Sequence, residues 1–553
     1  MSAVSSQQPS QPNTHQQQVY DAVVVGAGFA GMYMLYKLQQ RGLQVRLYEA
    51  GSGVGGTWYW NRYPGARVDV ESVEYSYSFD DELQQQWSWT ERYASQPELL
   101  RYCNHVADRF NLRPNMQFDT KVTAAHYDDR LARWDIRTGR GDQISAKYCV
   151  LATGFLSAGS VPDFVGLNDY QGNKYLTSRW PKEEIDFTGQ RVAVIGTGSS
   201  AVQSIPIMAQ QAKHLTVFQR TPSFSIPARN GPLDRAYEAR VKAMYAEWRR
   251  RQRDESRGGF IALNFEPAAP NNKCALDCTA EERLADYETR WQNGGLAYYS
   301  SYIDLLTNKA ANDTLAEFIR GKIRERVQDP ATAELLCPTS YPILAKRLCA
   351  DTNYYETYNR DNVTLVSIKD TPIEKLTARG LVVSGKEYAA DSIVFATGFD
   401  AVTGAIKNIE VRGRGGKYIN DHWLGAPRAY LGLMSAGFPN LFFLDGPCSN
   451  GALVSPMLLS EYQVEWVDRL IGTVGTQATA CIDARLDAEN RWMAHMDDVG
   501  KGSLLYAANS WYLGANIPGK PRALLSYLGG LEAYRQQCRA GAANDYGKLA
   551  ITR

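Results

Sequence analysis

Two stretches constrain the fold more than anything else in the chain: "YDAVVVGAGFAGMYMLYKLQQRGLQVRLYE", beginning at Tyr20, and "QRVAVIGTGSSAVQSIPIMAQQAKHLTVFQR", beginning at Gln190. Each sets out an apolar β-run, a glycine-rich turn, an amphipathic helix and a second β-run, which is the pattern of a βαβ unit. A crossover helix of that kind joins parallel strands, and parallel sheets are covered by helices on both faces. The prediction is an α/β protein with two Rossmann-like dinucleotide-binding domains. Two units mean two nucleotides.

The rest of the chain is organised around these units. "MQFDTKVTAAHYDDRLARWDIRTGRGDQISAKYCVLATG" reads as a meander of short alternating strands that rejoins the first sheet. Residues 229–335 turn to charged, aromatic-bearing stretches such as "RAYEARVKAMYAEWRRRQRDESR", which predicts a helical insertion. β-structure then resumes, and the same four letters, "ATGF", close both β-stretches, at Ala152 and again at Ala396. The domains are therefore expected to be discontinuous. Residues 19–155 with 391–545 form the first and 156–228 with 336–390 the second, while the polar, glutamine-rich residues 1–18 form a disordered tail.

Composition excludes several classes. Basic and acidic residues number 60 and 59, so no electrostatic footprint points to nucleic acid. No apolar run reaches the roughly 18 residues of a membrane span, and the N-terminus lacks the layout of a signal peptide. The nine cysteines form no C-x-x-C, and Cys274 and Cys278 have no nearby histidine to complete a zinc site. The expectation is a cytoplasmic protein with reduced thiols, no metal and small-molecule partners.

The two turns differ in what they can hold. In the first, Gly26 permits the tight turn, Gly28 lets the backbone approach a pyrophosphate, and Gly31 lets helix and strand pack closely. Glu49 ends the following β-run, where a carboxylate accepts both hydroxyls of an adenosine ribose and repels a 2′-phosphate. FAD or NAD satisfies this site. The second turn runs Gly196, Thr197, Gly198, Ser199, Ser200, Ala201, and its next strand ends in Gln219, Arg220 and Thr221 instead of an acid. A guanidinium and a hydroxyl match a 2′-phosphate, which assigns NADPH here and FAD to the first site. The alternative is that Arg220 is a solvated surface residue.

With both units, both "ATGF" endings and "GGTWYWNRYPGARVD", the chain resembles the flavin-dependent Baeyer–Villiger monooxygenases from about Tyr20 to about Gly529. The resemblance rests on Gly56, Trp58, Tyr63, Pro64, Gly65 and Asp69, on "KRL" at Lys346 to Leu348, and on "SWYLGANIPGKP" around Trp511. It implies conversion of ketones to esters or lactones with NADPH and O2, through a C4a-peroxyflavin and a Criegee intermediate. Arg347 matches the arginine that stabilises both, and Asp69 the carboxylate that pairs with it. Guanidinium suits the task because it stays charged at any working pH.

The resemblance also places Thr57, Trp58, Tyr59, Trp60, Asp69, Tyr75, Val122 and Met457 on FAD. It places Arg67, Thr197, Gly198, Ser199, Ser200, Ala201, Gln203, Arg220, Thr221, Lys346 and Trp511 on NADP, and Val70, Leu453 and Trp511 in the substrate pocket. Against these stand plainer readings: Trp58, Trp60 and Tyr63 as core aromatics, Asp69 as a turn residue, and Arg347 as a surface ion pair.

One position departs from the family. Its fingerprint, F-x-G-x-x-x-H-x-x-x-W with Pro or Asp next, is met by Gly172, Trp180 and Pro181 and, as an aromatic swap, by Tyr170, but Leu176 stands where the histidine belongs. If the imidazole moved protons in turnover, leucine would leave the enzyme slow or uncoupled. If the segment is a linker that sets how the domains move, leucine keeps the packing at the cost of one hydrogen bond, about 1 kcal/mol. The second reading is preferred, because every group the chemistry needs stands elsewhere. The competing functions are a heteroatom-oxidising enzyme and a flavoprotein that oxidises NADPH with poor oxygenation.

Overall fold

The computed structural model describes residues 18–260, 269–449, 453–475 and 480–552. The expected disordered tail lies outside them except for residue 18, which begins the first strand.

That strand, Gln18–Val25, runs parallel to Val45–Tyr48 on one side and to Gln143–Leu151 on the other, inside an eight-stranded sheet. Val122–Asp128, Arg133–Thr138 and Gln143–Leu151 pair antiparallel in sequence, the expected meander. Leu441–Phe443 returns late in the chain to pair with the C-terminal end of Gln143–Leu151. Ala22, Val23 and Val24 are fully buried, so the strand is apolar without alternation because helices and loops cover both faces.

The second sheet has five strands, all parallel. Arg191–Ile195 lies between His214–Gln219 and Ser392–Phe395, with Val363–Ser367 and Asn173–Leu176 outermost. This moves one expected boundary. The return to the first domain is expected at residue 391, yet Ser392–Phe395 is hydrogen-bonded into the second sheet. The strand is needed to fill the place between Arg191–Ile195 and Asn173–Leu176, so the crossing comes after it.

The helical insertion does not stand apart either. Val241 and Tyr245 of its first two helices join the core of the first sheet, whereas Tyr287, Trp291, Leu315 and Ala333 join that of the second. Amphipathic helices have one stripe to bury, and these bury it against whichever sheet lies nearest.

Glycine is required at two places that position the site. Gly26 has φ +108°, and a Cβ there would stand 2.4 Å from the carbonyl oxygen of Ala152. At Gly31 a Cβ would stand 1.9 Å from the carbonyl oxygen of Gly26, because helix and strand nearly touch. Gly31→Ala is expected to cost about 1–3 kcal/mol of overpacking. A lower urea midpoint together with weakened retention of the first nucleotide would show it; an unchanged midpoint would refute the close approach.

Candidate active site

The carboxyl ends of both sheets face one cavity of about 720 Å³, the place where open α/β sheets hold ligands. Gly26, Gly28 and Glu49 line it from the first sheet, with Thr57, Trp58, Trp60, Asp69, Tyr75, Val122 and Met457. Gly198, Ser199, Ser200 and Gln203 line it from the second, with Arg67, Lys346, Arg347, Trp511 and Val70. The two nucleotide turns thus share one space.

At the first turn, Glu49 accepts the backbone N–H of Ala27 at 2.8 Å and of Gly51 at 2.7 Å. Burial pushes its carboxyl up, while these backbone donors hold it down, and ribose hydroxyls would be further donors to the charged form. The N-terminus of Phe29–Gln40 points its free N–H groups at the turn. Trp58 donates its indole N–H to the Tyr75 hydroxyl at 3.2 Å, which locks both rings against the cavity. Tyr59 lies outside the lining: its hydroxyl accepts the N–H of Ser52 at 2.9 Å, and its ring packs where a Gly51 Cβ would be. Gly31 acts through packing alone. These groups fit FAD.

Where the sheets meet, Arg347 donates from Nε to Asp69 Oδ2 at 2.7 Å and from Nη2 to Asp69 Oδ1 at 2.6 Å. Such a bidentate, charge-assisted pair is short and directional. Burial works against the Arg347 charge, but Asp69 outweighs it and raises the guanidinium further above its ordinary range. Arg347 keeps 31% of its side chain exposed, and that face lines the cavity, so the cation is both paired and reachable. Tyr299 and Tyr512 bring hydroxyls into its field; Tyr299 lies outside every motif, and Tyr512 falls within "SWYLGANIPGKP" without an assignment of its own.

The domain junction is clamped by Gln203. It accepts the Tyr63 hydroxyl at 3.0 Å and the Arg67 N–H at 3.4 Å, and it donates to the Arg67 carbonyl at 3.1 Å. The Arg67 guanidinium itself pairs with Glu91 at 2.7 Å. At Gly65, φ +81°, a Cβ would stand 2.4 Å from the Gln203 carbonyl oxygen, so the Tyr63 to Arg67 turn can approach this helix only with glycine there.

A second cavity of about 360 Å³ opens beside the second turn, lined by Arg220, Thr221, Lys346 and Lys369. Lys346 borders both cavities. Burial first, and then the like charge of Arg220, lowers the Lys346 ammonium below its usual range. An anion placed between the two would relieve that repulsion, which fits a 2′-phosphate. Thr197 and Ala201 do not line either cavity. Thr197 donates to the Thr221 carbonyl at 2.9 Å, and Ala201 is buried in the second core. These groups fit NADP.

Of the expected pocket residues, Val70 and Trp511 line the main cavity, and Trp511 lies parallel to Phe155 at 6.2 Å between ring centres. Leu453 does not. It packs against the first core, and the neighbouring Val454 faces the cavity in its place.

Leu176 ends the strand Asn173–Leu176, paired in register with Phe395, and its side chain lies partly in the cavity wall. A few residues on, Arg179 sits 4.0 Å from the centre of the Trp60 ring, and Lys182 donates to Ser52 at 2.7 Å. The segment is thus a strand of the second sheet tied onto the first domain's aromatic turn. Leu176→His is expected to change the rate of ester formation by less than about tenfold; a gain of 10² or more, the scale of acid–base catalysis, would show a lost catalytic group.

Two glycine-cradled nucleotide sites facing one paired arginine define a flavoprotein oxidoreductase with a pyridine nucleotide coenzyme. A pyridine nucleotide-disulphide oxidoreductase family profile matches residues 23–249. A Baeyer–Villiger monooxygenase of Pseudooceanicola batsensis is 42% identical over 535 residues, 96% of each chain. Phenazine N-monooxygenase PhzNO1 of Lysobacter antibioticus is also 42% identical, over 95% of this chain and 96% of that one. A steroid monooxygenase solved with NADP is 49% identical with a TM-score of 0.90, covering 97% of this chain and 99% of that one. The chain belongs to the Baeyer–Villiger monooxygenase family. Among the described residues no helix is long and apolar enough to cross a membrane, and the nine cysteines are all unpaired.

Proposed function

We propose that the enzyme takes electrons from NADPH and inserts one atom of O2 beside the carbonyl of an apolar ketone, in the cytoplasm. The carrying observation is the bidentate Arg347–Asp69 pair at the point where the two nucleotide sites meet. FAD held by the Gly26 turn and Glu49 would supply the two-electron chemistry with O2. Arg347 presents a permanent cation and hydrogen-bond donors to the negative charge that develops on the ketone oxygen. Asp69 orients that guanidinium. Gln203, bridging Tyr63 and Arg67, keeps the nicotinamide-bearing domain in register with it. Val70, Val454 and Trp511 offer an apolar wall, which favours a hydrocarbon-rich substrate.

The discriminating experiment measures ester or lactone per NADPH consumed, with cyclic, linear and polycyclic ketones and with an aromatic N-heterocycle as a contrasting arm. The proposal expects ester near stoichiometry for at least one ketone. N-oxide without ester, or rapid peroxide release with neither product, would sink it.

A further inference from the structure

We propose that Arg179, carried by the second domain, binds the adenosine diphosphate half of FAD, so that the FAD site is completed across the domain boundary. The inference rests on the assignment of FAD to the main cavity and adds a residue at a position that the fingerprint leaves open.

The strap that carries Arg179 is anchored on both sides of it. Asn173–Leu176 pairs with Ser392–Phe395 in the second sheet, and Thr177, Ser178 and Trp180 are buried, the last within the second core. Between them Arg179 is exposed and reaches the first domain, where its guanidinium lies 4.0 Å from the centre of the Trp60 ring. A Cβ at Gly51 would stand 3.1 Å from the same ring, and the Trp60 indole favours the charged form of Glu49. Glu49, Ala50, Trp60 and Arg179 all line the main cavity. The carboxylate assigned to the adenosine ribose and the guanidinium of the other domain thus border one end of the same space.

Arg179 is a cation that lacks an anion. Among the described residues it forms no ion pair, and its hydrogen bond to protein is a long one, from Nη2 to the Ser157 carbonyl at 3.5 Å. Two other arginines of the cavity wall are engaged, Arg67 with Glu91 and Arg347 with Asp69. The wall takes water from part of the Arg179 guanidinium and lowers it from the usual arginine range, opposed by the charge of Glu49. A guanidinium laid over an aromatic face keeps the N–H groups of its edge free for acceptors. With its ribose at Glu49 and its pyrophosphate at the Gly26 turn, FAD would bring anionic oxygens to this end of the cavity. The ribityl chain and the oxidised ring system carry no such charge.

The test uses holoenzyme, from which FAD release on dilution is followed by flavin fluorescence, at low and high salt and with ADP as a competitor. Arg179→Met, which keeps an unbranched stem on Trp60 without the charge, is expected to weaken FAD about tenfold or more at low salt, the range of a hydrogen bond to a charged group. High salt should shrink that difference, because the lost contact is electrostatic and partly exposed. ADP should lose affinity in the same proportion, so the ratio of ADP to FAD that displaces half the flavin stays that of wild type. Arg179→Lys should retain part of the affinity. Lys182→Ala, which frees the strap from Ser52 and leaves the guanidinium in place, should keep the salt dependence of wild type. Equal FAD retention in wild type and Arg179→Met would overturn the proposal, as would a loss that salt leaves unchanged or that Lys182→Ala reproduces in full. A shifted ADP to FAD ratio would overturn it too, since the contact would then lie on the flavin half. Failure of the wild type to hold FAD would instead overturn the cofactor assignment beneath it.

Discussion

Arg347→Ala is expected to lower the rate of oxygen insertion by about 10²–10³-fold, the loss seen when one preorganised donor to a developing oxyanion is removed. The guanidinium is the cation that pairs with Asp69 while facing the cavity, through Nε and Nη2 at 2.7 and 2.6 Å. Its removal also leaves Asp69 as an uncompensated carboxylate with part of its side chain buried. Arg347→Lys should recover only part of the loss, because an ammonium cannot form the two-point contact with both carboxylate oxygens. The measurement is the rate of ester formation together with ester formed per NADPH oxidised, alongside anaerobic flavin reduction by NADPH. Should oxygenation survive in Arg347→Ala within tenfold of wild type, the assignment of Arg347 to the oxygenation step fails. Loss of flavin reduction in the same variant would add a role in hydride transfer.

The second large effect concerns the coenzyme. Replacing both Arg220 and Lys346 by alanine is expected to raise the KM for NADPH about 10- to 100-fold or more, since a hydrogen bond to a charged group is worth about 1.5–3 kcal/mol. The KM for NADH should hardly move, because NADH carries no 2′-phosphate. The enzyme's NADPH preference should also weaken with salt in the wild type and much less so in the double variant. A comparable rise in both KM values would mean that the two cations shape the domain and do not read the phosphate. Lys346 makes this sensitive, because burial and Arg220 already press its ammonium toward neutrality, and it borders the main cavity as well.

Much of the site was legible before any coordinates. Gly26, Gly28, Gly31 and Glu49 could be read because a βαβ unit has few ways to meet a pyrophosphate and a ribose, and those ways demand particular residues at fixed offsets. Arg220 and Thr221 were readable for the same reason: they stand where the first unit has its acid. The partnership of Arg347 with Asp69 could be named only through the family likeness, since nothing in spacing links positions so far apart. Leu453 and Val454 show the opposite limit. Which of two adjacent apolar residues faces a cavity depends on the backbone direction of a loop, and hydrophobicity does not encode it.

Tyr299 and Tyr512 carried no assignment from the sequence. The first lies in the helical insertion, outside every motif, and the second sits inside "SWYLGANIPGKP" beside Trp511, the residue to which the resemblance gives a role. Local sequence determined the two βαβ units, their glycine turns and the nucleotide each prefers, because these follow from interactions within a few dozen residues. Only the tertiary structure decided that Ser392–Phe395 stays in the second sheet, that the inserted helices divide between two cores, and that Leu176 belongs to a strap between domains. Those outcomes come from long-range pairing and burial, in which each element takes the partner that covers its apolar face and satisfies its backbone. The chain carries that information only as a whole.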